Sequence, residues 1–203
     1  MKIYIDGENF RKGLVDVLVN AHILSADQVL RSFDVVGLMR AVTGESKLEI
    51  VYYASRLKLP RGYTPSEQML EYAERIREES RAWLGNLTNQ GIKIIKAGNL
   101  KIKRAKPCFK CGFEQEILQE KGVDVRLAVD LMSDISRNSG AIVGIVSSDA
   151  DLCPALQRIR ESRVRVNYIC FSSLINRALA AVSDETTTIP LNTVKRHIKG
   201  VTQ

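Results

Sequence analysis

The sequence predicts an α/β fold in which a parallel β-sheet lies between two layers of helices, a three-layer α/β/α sandwich, and two observations carry this prediction. Short apolar runs of β-forming residues alternate with amphipathic helical patterns along most of the chain. The last two of these runs are apolar almost throughout, which is typical of strands buried on both faces of a parallel sheet. Right-handed crossovers between such strands place helices on both sides of the sheet.

Five apolar runs predict the strands, and they comprise residues 3–5, 48–54, 92–95, 141–146 and 164–171. Between the second and third runs, Pro65 precedes an apolar stripe at helical spacing that ends before Gly91. Another stripe begins at Val123 and reaches Ile135, and a further helix begins near Asp151. Helices therefore fill the gaps between strands, as βαβ units require.

One domain, residues 1–184, accounts for most of the chain in this interpretation. Residues 98–119 are predicted to form a basic β-hairpin inserted within it, and residues 185–203 a polar, basic C-terminal tail. A length of 203 residues suits one α/β domain with an insertion better than two domains. Hydrophobic residues make up 45% of the chain, so a sizeable core is expected and global disorder is excluded.

No apolar run approaches the roughly 20 residues that a bilayer-spanning helix needs, so no membrane partner is expected. Asp6 interrupts the start of the chain where a signal peptide would still be apolar. Four cysteines are too few for a disulfide framework in a chain of this length. We therefore expect a cytoplasmic protein.

The chain carries a formal net charge of +7, which favours a polyanionic partner and above all nucleic acid. No acidic residue lies between Glu79 and Glu114, although basic residues recur through this stretch. The residues expected to contact the phosphates of RNA or DNA are Arg56, Lys101, Lys103, Arg104 and Lys106. The alternative is a solvated basic face without a ligand.

Acidic and amide side chains follow two of the predicted strands, and a further acid begins a predicted helix. Residues 6–9 follow the first strand, residues 147–151 follow the fourth, and Asp124 begins the helix that leads into the fourth. Ligands of open parallel sheets bind at the carboxyl ends of the strands. Several carboxylates at one edge would repel each other without a cation, and oxygen ligands of this kind suit Mg²⁺ or Mn²⁺.

This pattern predicts metal-assisted phosphodiester hydrolysis in a basic protein. For any one aspartate the alternative is a helix N-cap, where Asp is also favoured. Neither a P-loop motif nor a G-x-G-x-x-G motif is present, so nucleotide-binding folds lack their phosphate cradle. The two histidines, His22 and His197, have no triad-like context, so a nucleophilic hydrolase has little support.

Three segments resemble the motifs of NYN domains, the LabA-like branch of the PIN-like nuclease superfamily. They are residues 5–9 (IDGEN), 121–130 (KGVDVRLAVD) and 146–151 (VSSDAD), and the resemblance spans residues 1–183. It implies a five-stranded parallel sheet in the order 3-2-1-4-5 and a ribonuclease that depends on Mg²⁺ or Mn²⁺. The implied catalytic residues are Asp6, Asn9, Asp124, Ser147, Asp149 and Asp151, of which the four aspartates would bind the metal.

Asp130 also matches a recurrent acid of that family. It lies six residues beyond Asp124, about 240° round a helix, so both side chains cannot face one metal on a regular helix. We therefore expect Asp130 to support the site or the structure without binding the metal. Ser148 stands where many relatives have glycine, and this departure leaves the acids intact.

Cys108 and Cys111 form a Cys-x-x-Cys pair that Gly112 follows, which resembles one knuckle of a zinc ribbon. A tetrahedral Zn²⁺ site needs four ligands, and only two are present here. An ordinary hairpin turn is the first interpretation. The alternative is that two protomers each donate a pair and form a zinc site at a homodimer interface.

The leading hypothesis is a metal-dependent endoribonuclease that hydrolyses RNA phosphodiester bonds at the aspartate cluster, with DNA left open as a substrate. The alternative is a catalytically inactive nucleic-acid-binding or regulatory module on the same fold. A complete set of acids favours the enzyme, because a binding module gains nothing from carboxylates beside its phosphates. A small-molecule phosphatase is disfavoured by the basic hairpin.

Overall fold

A computed structural model describes residues 1–23, 33–135 and 141–198, and a seven-stranded sheet forms the centre of this part of the chain. The strands are β1 (Lys2–Asp6), β2 (Glu49–Lys58), β3 (Lys93–Arg104), β4 (Glu116–Lys121), β5 (Ile142–Val146), β6 (Arg165–Phe171) and β7 (Glu185–Ile189). Their order across the sheet is β4-β3-β2-β1-β5-β6-β7. Strand β4 pairs antiparallel with β3, and the other neighbouring strands pair in parallel.

Seven α-helices connect or follow these strands in the described residues. They are α1 (Gly7–Asn20), α2 (Val35–Thr43), α3 (Glu67–Asn89), α4 (Val123–Ile135), α5 (Cys153–Arg160), α6 (Arg177–Ala181) and α7 (Leu191–Arg196). The longest of them, α3, is studded with charged residues. Across the described part of the chain, no helix has both the length and the apolar character that crossing a bilayer demands.

Two hydrophobic cores lie on opposite faces of the sheet, because successive side chains of a strand point to opposite sides. On β1, Ile3 and Ile5 enter one core, which also contains residues of α1, α2 and α3. Tyr4 enters the other core, against residues of α4 and α5. Each fully buried side chain of this kind contributes about 1.5–3 kcal/mol through the hydrophobic effect. The α/β class is therefore confirmed.

The expectation of a five-stranded parallel sheet is wrong, since the sheet has seven strands in the described residues and is mixed. One added strand is β4, the returning strand of the predicted hairpin. It joins the sheet because β3 continues past residue 95 as far as Arg104 and offers it an edge. The central strands β3-β2-β1-β5-β6 are all parallel.

The other added strand, β7, comes from the segment expected to be a polar tail. Its residues pair with β6 in parallel, from Asn167 opposite Glu185 to Phe171 opposite Ile189. Ile189 at the end of β7 and Val194 of the following helix, α7, are both buried in the first core. The sequence conceals this strand because three consecutive threonines make up most of it and only Ile189 is buried, so no continuous apolar run forms.

Candidate metal centre

The turn from β1 into α1 places the first predicted acid. Asp6 is the N-cap of α1, and its Oδ1 accepts a hydrogen bond from the backbone amide of Asn9 at 3.3 Å. Gly7 makes this tight turn fit, because a Cβ there would lie 2.3 Å from the carbonyl oxygen of Tyr53. The capping alternative is therefore met at Asp6, but it occupies only one oxygen of the carboxylate.

The second oxygen of Asp6 connects β1 to β5. Its Oδ2 accepts a hydrogen bond from Asn9 Nδ2 at 2.6 Å and from Ser147 Oγ at 3.2 Å. Asp6 is only 4% exposed, and this burial raises the pKa of its carboxyl group; Asn9 and Ser147 lower it, and the nearby charge of Asp149 raises it further. Three of the residues predicted from the sequence, Asp6, Asn9 and Ser147, are therefore in contact in the structure.

The loop after β5 is held by the same network. Ser147 Oγ accepts a hydrogen bond from the backbone amide of Asp149 at 3.1 Å, and Ser148 Oγ donates to Asn9 Oδ1 at 2.9 Å. Asp149 Oδ1 in turn accepts a hydrogen bond from the amide of Asp151 at 2.9 Å, at the start of a 3₁₀ turn. These bonds therefore hold the backbone of the loop and the carboxylate of Asp149.

Three carboxylates meet where this loop faces α4. Asp124, Asp149 and Asp151 each offer an oxygen atom, and these three oxygens all lie within 4.8 Å of one another. Asp124 reaches the group from the first turn of α4, which follows the sharp turn at Gly122 with its φ of +88°. Asp6 is buried beside this group but is not part of it.

The donor set of this group fits a hard divalent cation. Three carboxylate oxygens at such spacing repel one another in the absence of positive charge, and oxygen donors are what Mg²⁺ and Mn²⁺ prefer. Asp151 is exposed, and Asp124 and Asp149 are half-buried, so solvent reaches the group. The group is therefore accessible from the side of Asp151.

Glu120 adds a further acid that the sequence analysis missed. It lies on β4 opposite Leu100, half-buried, with a hydrogen bond from Ser55. Burial, followed by the charges of Glu8, Asp6 and Asp124, raises the pKa of its carboxyl group to about 7. The sequence does not indicate Glu120 as a site residue, because the hairpin is predicted to be a separate insertion. The register of β4 on β3 instead brings the end of β4, with Glu120, close to the site.

Asn176 is the second residue that sequence reasoning missed. Its Nδ2 donates a hydrogen bond to the backbone carbonyl of Ser148 at 2.8 Å, and its backbone amide donates to the hydroxyl of Tyr168 at 3.1 Å. Its Oδ1 also caps α6. No sequence motif announces this contact, because it joins loops that lie 28 residues apart.

Asp130 is not part of the group of Asp124, Asp149 and Asp151, as expected from its position on α4. Its carboxylate accepts hydrogen bonds from the hydroxyl of Tyr53 at 3.2 Å and from Arg126 Nε at 2.8 Å. One turn further along, Asp134 accepts a hydrogen bond from the hydroxyl of Tyr4 at 2.6 Å. Two strand tyrosines thus hold α4 by its acidic side chains.

The basic residues of the hairpin do not all share one face. Lys101 and Lys103 of β3 lie on the same side, and the parallel register places Arg56 and Lys58 of β2 beside Asn99 and Lys101. Arg104 lies on the other side of β3, with its guanidinium 4.5 Å from the ring centre of Tyr63. Lys106 is exposed beyond the end of the strand.

An α/β domain with carboxylates gathered at the carboxyl edge of its sheet is the class of protein that this fold and site define. The model of one family, the NYN domain, matches residues 1–191, and the chain belongs to this family. NYN domains have a PIN-like nuclease fold. The match does not specify the LabA-like subgroup.

Solved structures and curated proteins add little to this assignment. A protein of unknown function from Vibrio parahaemolyticus is similar over 93% of this chain and 92% of its own, with 16% identity and a TM-score of 0.46. A mutant phosphofructokinase-2 from Escherichia coli is similar over 72% of this chain and 44% of its own, with 12% identity and a TM-score of 0.37. Comparison with curated proteins finds no match.

Proposed function

We propose that this protein is an endoribonuclease that depends on Mg²⁺ or Mn²⁺. The observation that carries the proposal is the group of Asp124, Asp149 and Asp151, whose oxygen atoms lie within 4.8 Å of one another. An NYN domain supplies a nuclease fold, and its acids stand at the edge where parallel sheets bind ligands. Acids grouped in this way would repel a phosphate unless a cation lay between them.

Asp124, Asp149 and Asp151 would hold the cation, and the exposure of Asp151 leaves the group accessible to a substrate. When bound, a divalent cation activates a water molecule and stabilises the charge that develops on the phosphate. Asp6 supplies further negative charge next to Asp149 and keeps Asn9 and Ser147 in place. That Asp6 is a fourth ligand of the metal stays a prediction from the sequence, since Asp6 is not among the three grouped carboxylates.

Asn9 and Ser147 orient the groups around the phosphate. Asn9 Nδ2 lies 2.6 Å from Asp6 Oδ2 and 3.3 Å from Ser147 Oγ, so its amide is held by two partners. Ser147 Oγ accepts a hydrogen bond from the backbone amide of Asp149. Both side chains are therefore fixed before a substrate arrives, which lowers the entropic cost of positioning it.

RNA is the substrate class that we propose. A formal net charge of +7 favours a polyanion as ligand. One side of β2 and β3 carries four basic residues, which we call the basic face: Arg56, Lys58, Lys101 and Lys103. This face lies on the opposite side of the sheet from Glu120, since Glu120 pairs with Leu100 rather than Lys101. A strand of RNA would reach the acids by passing over the carboxyl edge.

The decisive experiment incubates the purified chain with labelled single-stranded RNA and DNA in Mg²⁺, Mn²⁺ or EDTA. We expect internal cleavage of RNA with either metal, none in EDTA, and a loss of at least about 100-fold in Asp149→Asn. Asp16→Asn is the matched control, because Asp16 is exposed on α1. Binding of RNA without cleavage under every metal condition would favour the inactive binding module instead.

A further inference from the structure

The tip of the β3–β4 hairpin is a closed turn that carries two exposed cysteines. The backbone amide of Cys108 donates to the carbonyl of Phe113 at 2.9 Å, and the amide of Gly112 donates to the carbonyl of Cys108 at 2.8 Å. Gly112 has a φ of +68°, a conformation that glycine adopts without strain. Cys108 and Cys111 therefore project from an ordered loop, and neither forms a disulfide.

Both thiols lie on one closed turn. The bonds from Cys108 to Phe113 and from Gly112 to Cys108 enclose residues 108–113, so Cys108 and Cys111 belong to the same ordered segment. Two cysteines at this spacing are typical of one half of a structural zinc site.

This pair provides two ligands, whereas a structural zinc site needs four. The chain contains four cysteines and two histidines in all. Cys153 begins α5 and Cys170 is buried in β6, while His22 follows α1 and His197 ends α7. Within residues 1–23, 33–135 and 141–198, the aspartate group is the one set of three or more potential ligands, so a zinc ion at Cys108 and Cys111 would need ligands from outside the chain.

The surface around the pair is apolar as well as basic. Phe109 is fully exposed and Phe113 is largely so, although large aromatic side chains normally avoid water when they can be covered. A second copy of the same tip would supply both an apolar partner surface and another pair of thiolates. A two-fold axis through the tip would bring the two pairs together, and dimers of this symmetry are the commonest homo-oligomers.

We propose that Cys108 and Cys111 of two copies bind one Zn²⁺ ion and join the hairpin tips in a homodimer. On binding, the four thiols release four protons to solvent, and the zinc with its four thiolates carries a charge of −2. Lys106 and Lys110 of both copies lie beside this charge and offset it, which also relieves the repulsion between two basic tips. The site is independent of the nuclease proposal.

The test measures zinc content and mass of the full chain, purified without chelator. We expect about one zinc per two chains and a dimer in light scattering. Cys108→Ser and Cys111→Ser should each reduce zinc to background and give a monomer with unchanged circular dichroism. Cys153→Ser is the matched control and should keep both zinc and dimer. Asp149→Asn should keep the zinc too, which separates this site from the aspartate group.

Replacement of the zinc by Co²⁺ identifies the ligands directly. We expect the absorption bands of a tetrahedral site with four thiolates, and their loss in Cys108→Ser. Protein without zinc, a dimer that Cys108→Ser leaves intact, zinc bound by a monomer, or a disulfide between Cys108 and Cys111 in the freshly purified protein would each overturn the proposal.

Discussion

Asn176 Nδ2 donates a hydrogen bond to the backbone carbonyl of Ser148 at 2.8 Å, and this bond joins the loop after β6 to the loop that carries two of the clustered aspartates. The donor itself is well held, since the amide of Asn176 bonds to the hydroxyl of Tyr168. The acidic loop is thus supported from both sides, by Asn9 through Ser148 Oγ and by Asn176 through the Ser148 carbonyl.

Asn176→Ser should lower metal-dependent cleavage about 10-fold, because serine still caps α6 but is too short to reach Ser148. The measurement is kcat/KM on labelled RNA, with the thermal midpoint of unfolding as a check on the cap. Asn89→Ser, at an exposed position of α3, serves as the control. Unchanged kcat/KM in Asn176→Ser would show that the Asn9 contact alone supports the loop.

The sequence predicts that Asp124 and Asp149 lie close together, and their carboxylate oxygens do lie within 4.8 Å of each other. Asp149 follows the end of β5, at the edge where parallel sheets bind ligands, and a local motif reveals this position. Glu120 and Asn176 could not be found in this way. Their positions depend on the pairing of Leu100 with Glu120 and on how one loop folds over another, which are tertiary facts without a local signature.

Strand β7, at the far edge of the sheet, has no local signature in the sequence either. Of the five residues of β7, only Ile189 is buried, so its pattern carries almost no hydrophobic signal. Its pairing with Phe171 on β6 is what makes it a strand. Edge strands of this kind are defined by a neighbour rather than by their own composition.

Glu120 should make the metal-free protein less stable as the pH rises. Burial and neighbouring acids raise its pKa from 4.5 to about 7 in the folded state, so the folded chain holds a proton that the unfolded chain has already lost. The stability that depends on this proton is complete below about pH 4.5 and is lost as the pH rises to about 7. Glu120→Gln should therefore stabilise the protein at pH 8 by about 1 kcal/mol, after allowance for its exposed part, and much less at pH 5.

Urea unfolding at both pH values, in EDTA, measures this difference. Glu116→Gln is a control of opposite sign on the same strand, because hydrogen bonds from Ser66 lower the pKa of Glu116. Its loss should cost stability at pH 8 rather than add it. A gain for Glu120→Gln that is equal at pH 5 and pH 8 would mean that charge is not its source.

The basic face predicts which cations bind RNA and which do not. Changing Arg56, Lys101 and Lys103 together to Ala should weaken RNA binding and lower the slope of log Kd against log salt by about 2, at roughly 0.7 per phosphate contact on a single strand. Arg104→Ala should have a smaller effect, because its guanidinium lies over Tyr63 on the other side of β3. Fluorescence anisotropy in EDTA measures both. An equal loss in the Arg104→Ala variant alone would place the RNA elsewhere on the hairpin.

The two tyrosines that bond to α4 should differ in their effect on the affinity of the protein for Mn²⁺. Tyr53 bonds to Asp130 and Tyr4 bonds to Asp134, and their rings stack with centroids 6.5 Å apart. Tyr53→Phe and Tyr4→Phe should each reduce the free energy of unfolding by about 1 kcal/mol, because each removes one hydroxyl donor from a part-buried carboxylate. Asp130 lies closer to Asp124 along α4 than Asp134 does. We therefore expect only Tyr53→Phe to loosen the first turn of α4, which positions the Asp124 carboxylate.

Calorimetric titration with Mn²⁺ separates the two variants. We expect about 10-fold weaker binding for Tyr53→Phe and near-normal binding for Tyr4→Phe, because loss of a residue that orients a ligand costs affinity whereas loss of a remote bond costs only stability. Chemical unfolding of the same samples shows that both variants have lost comparable stability. If both bind Mn²⁺ as tightly as the unmodified chain, Asp124 is aimed by the turn at Gly122 alone, and the bond between Tyr53 and Asp130 serves only to hold α4 on the sheet.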